Sequence, residues 1–322
     1  MEYTYLVTGA DGHLGSWIVR KLKQKGKSVR GLRLKNSSLK TPIIEDLYYG
    51  DVLDINSLKP FFNVEKAKVI HTAAIVSVSK KKKNLLNDVN LIGTKNILHL
   101  CKEHSFSLTY ISSVHAFVDK DKIINESSLI NPNLVIGEYA KSKAEMSLYL
   151  QNERKNLPIN IIYPSGILGP KDYGNNPLNT VIKDYLDNKL FCYIKGGYDM
   201  VDVRDVAKFI VKLNIEDIKN ENFIISNTYV KIEDFFKIIS KNYNNKKLPI
   251  RLPTSIVKIL APISEIYYNI QKKPALISSY SLYTLLNSPY FSHSKASETL
   301  GYNPRNIEKT IIKIINNYKN KK

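Results

Sequence analysis

The fold is decided near the start of the chain by the stretch Thr8-Gly9-Ala10-Asp11-Gly12-His13-Leu14-Gly15. This stretch joins an apolar run at 3–8, which predicts a strand, to an amphipathic run at 13–25, which predicts a helix. Glycines in that context allow a tight turn and let backbone N–H groups approach a pyrophosphate, which the helix N-terminus also stabilises. The stretch therefore predicts a dinucleotide-binding loop. We expect six of its residues to contact the cofactor: Gly9, Asp11, Gly12, His13, Leu14 and Gly15.

Short apolar runs alternate with helix-like runs over the first half of the chain, which is the pattern of a parallel sheet covered on both faces. The sequence predicts strands at 3–8, 28–32, 47–52, 68–72, 108–113 and 160–164, and helices at 13–25, 85–104 and 137–154. The predicted fold class is α/β, a Rossmann doubly wound parallel sheet with a smaller, mostly helical substrate-binding lobe.

Domain boundaries are predicted from a change of texture after residue 164, where glycine and proline become frequent. We assign 1–168 to an NADP(H)-binding domain and 169–322 to the substrate-binding lobe, and expect 199–228 to return to the first domain. A short strand pair is predicted within 191–203, followed by helices that begin near 206, 231 and 254.

The composition excludes several classes of protein. Two cysteines, Cys101 and Cys192, cannot form a disulfide framework, and no metal-type cysteine pairing occurs, so we expect a reducing cytoplasm and no metal site. The net charge of +19 comes from 48 Lys and Arg against 29 Asp and Glu. Most of these cations are lysines, whereas arginine has the fork geometry that nucleic-acid recognition favours. We therefore expect no nucleic-acid partner.

The stretch 252–270 is the most apolar of the chain, but Pro253, Lys258, Pro262 and Glu265 interrupt it. A membrane span needs about 20 predominantly apolar residues, so no transmembrane segment is predicted. A buried or lid helix is the first interpretation. An interfacial helix that touches a membrane or a lipophilic substrate is the alternative.

The end of the second strand predicts which cofactor is preferred. A site that prefers NAD places Asp or Glu there, to accept hydrogen bonds from the ribose hydroxyls. Here the strand ends Val29-Arg30-Gly31-Leu32-Arg33-Leu34-Lys35, without a carboxylate. Arg33, helped by Lys35 or Arg30, is placed to meet a 2′-phosphate instead. We expect NADP(H) to be preferred, with NAD(H) as the alternative.

Two further motifs carry groups suited to proton transfer. Tyr139 and Lys143 are four residues apart in a predicted helix, which places them on one face. A tyrosine with a pKa of about 10 is a poor acid–base at neutral pH, and a neighbouring ammonium lowers that pKa. Ser113 ends a strand at the carboxyl edge of the predicted sheet, where its hydroxyl can hold a substrate oxygen.

Together and in this order, these motifs resemble those of the extended short-chain dehydrogenase/reductases, the NAD-dependent epimerase/dehydratase family. Besides the glycine loop and Tyr139-Ala140-Lys141-Ser142-Lys143, the matching segments are 50–54, 71–74, 89–94, 164–170, 201–207 and 294–305. The end of the second strand and the segments 165–170 and 294–305 are most similar to the branch of dihydroflavonol 4-reductases and 3β-hydroxysteroid dehydrogenases.

The resemblance implies a role for each matching residue. Tyr139 would be the general acid–base, Lys143 would lower its pKa and hold the nicotinamide ribose, and Ser113 would orient the carbonyl. The other implied cofactor contacts are Asp51, Val52, Thr72, Ala73, Ala74, Asn90, Pro164 and Ser165.

Departures from the family pattern fall around the expected substrate pocket. Tyr163 stands where the family commonly has arginine, and His115 and Phe117 lie in the segment that replaces the usual aromatic–glycine ending. We assign His115, Phe117 and Tyr173 to the pocket, and leave the identity of the substrate open.

The expected activity is NADPH-dependent reduction of a ketone or aldehyde on a small molecule, similar to that of dihydroflavonol reductases or hydroxysteroid dehydrogenases. The apolar stretch 252–270 favours a lipophilic substrate. One alternative is an NAD-dependent nucleotide-sugar epimerase or dehydratase. It would use the same tyrosine and lysine and would need cations for a diphosphate, such as Lys171, Lys195, Arg204 or Arg251. The other alternative is a non-catalytic NADPH-sensing protein. The resemblance also implies a homodimer, formed through helices near 85–104 and 139–154.

Overall fold

The computed structural model describes residues 2–39, 46–76, 83–118, 123–173, 176–257 and 279–320. The strands are β1 (Thr4–Thr8), β2 (Val29–Arg33), β3 (Leu47–Tyr49), β4 (Ala67–His71), β5 (Ser107–Ile111), β6 (Ile123–Ile124), β7 (Ile159–Pro164), β8 (Gly166–Leu168), β9 (Cys192–Ile194), β10 (Gly197–Asp202), β11 (Asn222–Ile225), β12 (Thr228–Lys231), β13 (Ile250–Leu252) and β14 (Tyr290–Phe291).

The helices flank these strands along the chain. They are α1 (His13–Gln24), α2 (Ile55–Phe62), α3 (Lys83–Asn87), α4 (Thr94–Glu103), α5 (Glu138–Glu153), α6 (Pro177–Leu186), α7 (Val203–Ile215), α8 (Ile232–Lys241), α9 (Ser279–Leu286), α10 (Ser294–Leu300) and α11 (Ile307–Lys319). A π-helical segment, Asp88–Gly93, joins α3 to α4, so the helix predicted at 85–104 is interrupted.

The main sheet has seven strands in the order β11-β7-β5-β4-β1-β2-β3, and all neighbouring pairs are parallel. The predicted Rossmann-type α/β fold is confirmed. The strand order reverses between β1 and β4, where Thr8 pairs with His71. At such a reversal the connections leave in opposite directions, which opens a crevice at the carboxyl ends of the strands.

Two apolar layers cover the sheet. On one face α2, α4 and α5 pack over the strands, and on the other α1, α7 and α10 do so. In α1 the buried side chains Ile18, Val19 and Leu22 form the inner stripe, while Lys21 and Lys23 lie in the last turn, where the helix dipole favours cations. These layers fix the start of α1 against the end of β1.

The lobe is built on a second sheet of three strands in the order β12-β10-β8. Its core lies between this sheet and the helices α6, α8 and α11. The strands predicted within 191–203 form as β9 and β10, but the prediction that they pair with each other is wrong. β9 pairs with β13, whereas β10 lies between β8 and β12, because each strand finds a longer-range partner.

Charged groups join the lobe to the main sheet. The guanidinium of Arg305 donates to Asp205 at 2.6 Å, and Thr310 donates to the buried Asp202 at 2.6 Å. Arg204 pairs with Asp202 as well. The segment before α11 is thereby tied to the start of α7, close to the crevice.

The apolar stretch predicted as a lid or interfacial helix falls mostly outside the described residues, since 258–278 are not among them. Within the part of the chain that the structure describes, no helix is long and apolar enough to cross a bilayer.

Candidate active site

The glycine loop has the geometry that a pyrophosphate needs. Gly9 has a φ of +64°, and a Cβ there would lie 2.9 Å from the backbone N of Ala73. A Cβ at Gly15 would lie 2.1 Å from the carbonyl oxygen of Gly9, so α1 can approach β1 this closely only with glycine. Gly12 precedes α1 and provides no side-chain cap for its first N–H groups. The loop therefore fits a dinucleotide whose phosphates meet the start of this helix.

The end of β4 is tied to the same loop. Thr72 donates its hydroxyl to the carbonyl oxygen of Thr8 at 2.7 Å, and the N–H of Ala73 donates to the hydroxyl of Thr8 at 3.2 Å. Ala74 follows and is half-buried. These predicted cofactor contacts thus line the crevice beside Gly9.

His13 begins α1, and its Nε2 lies 3.3 Å from the carbonyl oxygen of Pro170. Burial lowers the pKa of this imidazole, so it adds no positive charge to the phosphate loop at neutral pH. Leu14 is half-buried beside it. Pro164 ends β7, and Ser165 donates its N–H to Ile225 on the edge strand β11.

The adenosine end of the crevice is formed by the ends of β2 and β3. Arg33 lies there as predicted, but its Nε is 3.5 Å from a carboxylate oxygen of Asp11. Lys35 is exposed. The side chain of Asp51 accepts a hydrogen bond from the N–H of Leu53, and Val52 is buried.

Tyr139 lies in the first turn of α5, which Gly137 starts with a φ of +95° that favours glycine. Ser113 ends the segment after β5, is buried, and places its hydroxyl at that of Tyr139. Lys143 is one turn further along α5 and is 2% exposed. Its Nζ donates to the carbonyl oxygen of Ile111 at 2.7 Å and to the hydroxyl of Tyr110 at 3.2 Å.

Burial controls the protonation of this group. It raises the pKa of Tyr139 to about 12, and the hydrogen bond from Ser113 opposes the increase only in part. Burial also lowers the pKa of Lys143 to about 7. The role that the resemblance implies for Lys143, lowering the pKa of Tyr139, stays a prediction, while burial acts in the opposite direction on this phenol.

Asn90 lies in the π-helical segment, and its amide faces the protein backbone. It accepts from the N–H of Ile75 at 2.9 Å, donates to the carbonyl oxygen of Ile75 at 3.1 Å, and donates to Ser142 at 3.2 Å. Ser142 in turn donates to the carbonyl oxygen of Tyr139. Asn90 therefore holds the cofactor-lining segment after β4 against the first turn of α5.

A small cleft opens next to Ala140, which follows Tyr139 in α5. Its described lining consists of His115, Phe117, Leu134, Val135, Ile136, Ala140, Tyr283 and Thr284. Burial lowers the pKa of His115 to about 4, so this side chain is neutral at physiological pH. The described lining thus carries no charge at neutral pH, although more of the surface that faces the cleft is polar than apolar.

The family is decided by a match of residues 5–225 to the model of the NAD dependent epimerase/dehydratase family, which covers more than half of the chain. The chain belongs to this family. Sterol demethylase protein B of Methylococcus capsulatus is 25% identical over 269 residues, covering 81% of each chain. The decarboxylating sterol-4α-carboxylate 3-dehydrogenase of Candida albicans is 27% identical over 331 residues, covering 93% of this chain and 92% of the relative.

The solved structure of gox2253 is similar over 100% of this chain and 99% of its own, with 26% identity and a TM-score of 0.84. Together these similarities confirm the resemblance to the extended short-chain dehydrogenase/reductases. As a member of this family, the chain is an NAD(P)-dependent enzyme.

The three residues predicted to form the substrate pocket have different surroundings in the structure. Tyr173 accepts a hydrogen bond from Arg20 of α1 at 3.2 Å, and it is not among the described residues that line the cleft. His115 and Phe117 do line it. The assignment of Tyr173 to the substrate pocket stays a prediction.

Sequence reasoning missed several residues of the site. Tyr198 on β10 has its hydroxyl 2.5 Å from Nε2 of His115, and Tyr283 and Thr284 line the cleft from α9. Tyr110 contacts Lys143. Tyr110 could have been found because it lies in β5 only three residues before Ser113. No local sequence pattern marks the residues of the lobe.

Proposed function

We propose that the protein is an NADP(H)-dependent reductase of a ketone or aldehyde on a lipophilic molecule, and that Ser113, Tyr139 and Lys143 carry the reaction. The observation that supports this most directly is the hydrogen bond between the hydroxyls of Ser113 and Tyr139, in the first turn of the helix whose next residue, Ala140, lines a cleft without charged side chains. The lining includes the apolar side chains of Phe117, Val135 and Ile136, which can contact a lipophilic molecule.

Tyr139 is suited to the acid role. With a pKa raised to about 12, its phenol is protonated at neutral pH and can donate to a carbonyl oxygen that gains negative charge. Ser113 holds the same oxygen by a hydrogen bond. The bound nicotinamide supplies the hydride. Once Tyr139 has given up its proton, a protonated Lys143, whose Nζ lies 5.9 Å from the centre of the tyrosine ring, stabilises the phenolate.

The surroundings of the four candidate cations argue against the nucleotide-sugar alternative. A diphosphate would need cations, but the candidate Arg204 is paired with Asp202, and Lys171 lies over the ring of Trp17. Lys195 and Arg251 are exposed. The names of the two relatives, a sterol demethylase protein and a sterol-carboxylate dehydrogenase, support a lipophilic substrate as well. The intact set of Ser113, Tyr139 and Lys143 favours an enzyme over a cofactor sensor.

Two measurements test this function. Oxidation of NADPH is followed with 3-oxosteroids and with aliphatic ketones, and UDP-sugars are tested for epimerisation with NAD⁺. We expect turnover with a lipophilic ketone only. Epimerisation of a UDP-sugar without net oxidation of NADPH would overturn the proposal.

The choice of NADP(H) is tested by fluorescence titration of the cofactor-stripped protein with NADPH and with NADH. Arg33 supports tighter binding of NADPH. NAD⁺ retained through purification, together with equal or tighter binding of NADH, would contradict this assignment.

We also propose a homodimer that buries the exposed side chains of Leu85 and Ile92, which are 48% and 50% exposed in the single chain. Light scattering of the purified protein measures its mass. We expect a dimer, and a monomer for Ile92→Asp; a monomeric wild-type protein would disprove it.

A further inference from the structure

The adenosine end of the crevice holds a carboxylate that the second strand itself does not supply. Asp11 follows β1 in the glycine loop, and Arg33 ends β2, the parallel neighbour of β1. The Nε of Arg33 lies 3.5 Å from Oδ2 of Asp11, and the two side chains are 13% and 10% exposed. A buried charge pair therefore occupies the place where a 2′-phosphate would meet Arg33.

Further hydrogen bonds fix both partners. Arg33 donates its Nη2 to the carbonyl oxygens of Ser37 at 3.0 Å and Leu39 at 3.1 Å. Ser37 donates its hydroxyl to Oδ2 of Asp11. The turn after β2 thus holds the guanidinium and the carboxylate against each other.

The two side chains act in opposite directions on the two cofactors. A 2′-phosphate carries close to two negative charges, so Arg33 attracts it and the carboxylate of Asp11 repels it, with little screening because both groups are largely buried. A ribose 2′-hydroxyl is a neutral donor, which a carboxylate accepts and a guanidinium cannot. The phosphate must also compete with Asp11 for the same cation.

We propose that Asp11 is a specificity-determining residue, whose carboxylate weakens the binding of 2′-phosphorylated cofactors by engaging Arg33 and strengthens the binding of cofactors with a free 2′-hydroxyl. This inference rests on the proposed assignment of Arg33 to the 2′-phosphate. It goes beyond that assignment, because it predicts that the glycine loop, and not only the end of β2, sets the preference.

Binding of NADPH, NADH and 2′,5′-ADP to the cofactor-stripped protein tests the inference. We expect Asp11→Asn, which keeps the size of the side chain, to lower the Kd for NADPH and for 2′,5′-ADP by about tenfold, equivalent to about 1.4 kcal/mol. The Kd for NADH is expected to stay the same or rise. The matched control is Asp234→Asn, which removes a carboxylate paired with Lys237 at 3.6 Å on α8 of the lobe. It changes the net charge equally and is expected to leave the ratio unchanged.

A double-mutant cycle shows whether Asp11 acts through the arginine. In an Arg33→Gln background, we expect Asp11→Asn to change the NADPH to NADH affinity ratio by less than about half as much, on a logarithmic scale, as in the wild type. Thermal unfolding of each variant, with and without NADH, establishes that it is folded. An unchanged or lower ratio in folded Asp11→Asn would overturn the inference, and so would an equal shift in both variants.

The failure of this inference is distinguishable from that of the proposed cofactor. A wild-type protein that prefers NADH, with a ratio that shifts toward NADPH in Asp11→Asn, contradicts the NADP(H) assignment and supports the role of Asp11. A wild-type protein that prefers NADPH, with no shift in Asp11→Asn, does the reverse.

Discussion

Lys143 and Arg33 are both largely buried cations on one crevice, but their surroundings differ. The Nζ of Lys143 donates to two neutral groups, the hydroxyl of Tyr110 and a backbone carbonyl, and burial lowers the pKa of this lysine to about 7. Arg33 lies against the carboxylate of Asp11. The protonation of Lys143 can therefore change with its surroundings and affect Tyr139, whereas the positive charge of Arg33 is balanced by the carboxylate of Asp11.

The largest effect on activity is expected from removal of the proton that Tyr139 donates in the proposed reaction. Tyr139→Phe removes the acid, so we expect kcat for ketone reduction to fall about 10²–10⁴-fold while the Kd for NADPH stays nearly the same. Tyr149→Phe, on the same helix but outside the cleft, is the control and is expected to keep full activity. Full activity of Tyr139→Phe would refute the proposed role.

The next largest effect is expected from Lys143, whose buried charge lowers the stability of the folded protein. Lys143→Met removes a buried ammonium that no carboxylate of the described chain pairs with, so we expect activity to be lost and the free energy of unfolding at pH 7 to rise by about 1–4 kcal/mol. Urea denaturation of both proteins measures the change. A variant less stable than the wild type would show that the neutral partners of Lys143 compensate its burial.

The pH dependence of that difference follows from the lowered pKa of Lys143. Between about pH 7 and 10.5, the ordinary pKa of a lysine, the unfolded chain binds more protons at this site than the folded chain. The stability of the wild type therefore rises with pH in this window through Lys143, and the advantage of Lys143→Met shrinks. Urea denaturation at pH 7 and pH 9.5 measures this; a difference that grows with pH would contradict it.

The smallest effect is expected from the hydrogen bond between Tyr198 of the lobe and His115. Tyr198→Phe removes one hydrogen bond to His115, so we expect the free energy of unfolding to fall by about 1 kcal/mol and KM to rise more than kcat falls. Tyr229→Phe on the neighbouring strand β12 is the control. A loss in kcat as large as that of Tyr139→Phe would place Tyr198 in the chemistry itself.

Local geometry explains why the form of the glycine loop and the common helix of Tyr139 and Lys143 were predictable. Gly15 is required because its Cα lies close to the carbonyl of Gly9, six residues earlier, and Gly9 is required because the backbone of Ala73 lies against it. The four-residue spacing of Tyr139 and Lys143 places both side chains on one face of α5. Strand positions followed from apolar runs, since parallel strands are buried on both faces.

Long-range contacts explain what was not predictable. The sequence at the end of β2 contains no carboxylate, but the parallel pairing of β1 with β2 brings that of Asp11 next to Arg33. Tyr198 reaches His115 across 83 positions of sequence. The partners of β9 and β10 depend on the packing of the lobe. None of these contacts leaves a periodic signal in the sequence.

The strand β11 has a consequence for synthesis of the chain on the ribosome. It closes the edge of the seven-stranded sheet beside β7, although residues of the lobe lie between them in the sequence. Translation at about 5–20 residues per second leaves β7 without this neighbour for several seconds after it emerges. During that interval the nascent chain exposes an unpaired strand edge, so the first half cannot complete its folding until Asn222–Ile225 has left the exit tunnel.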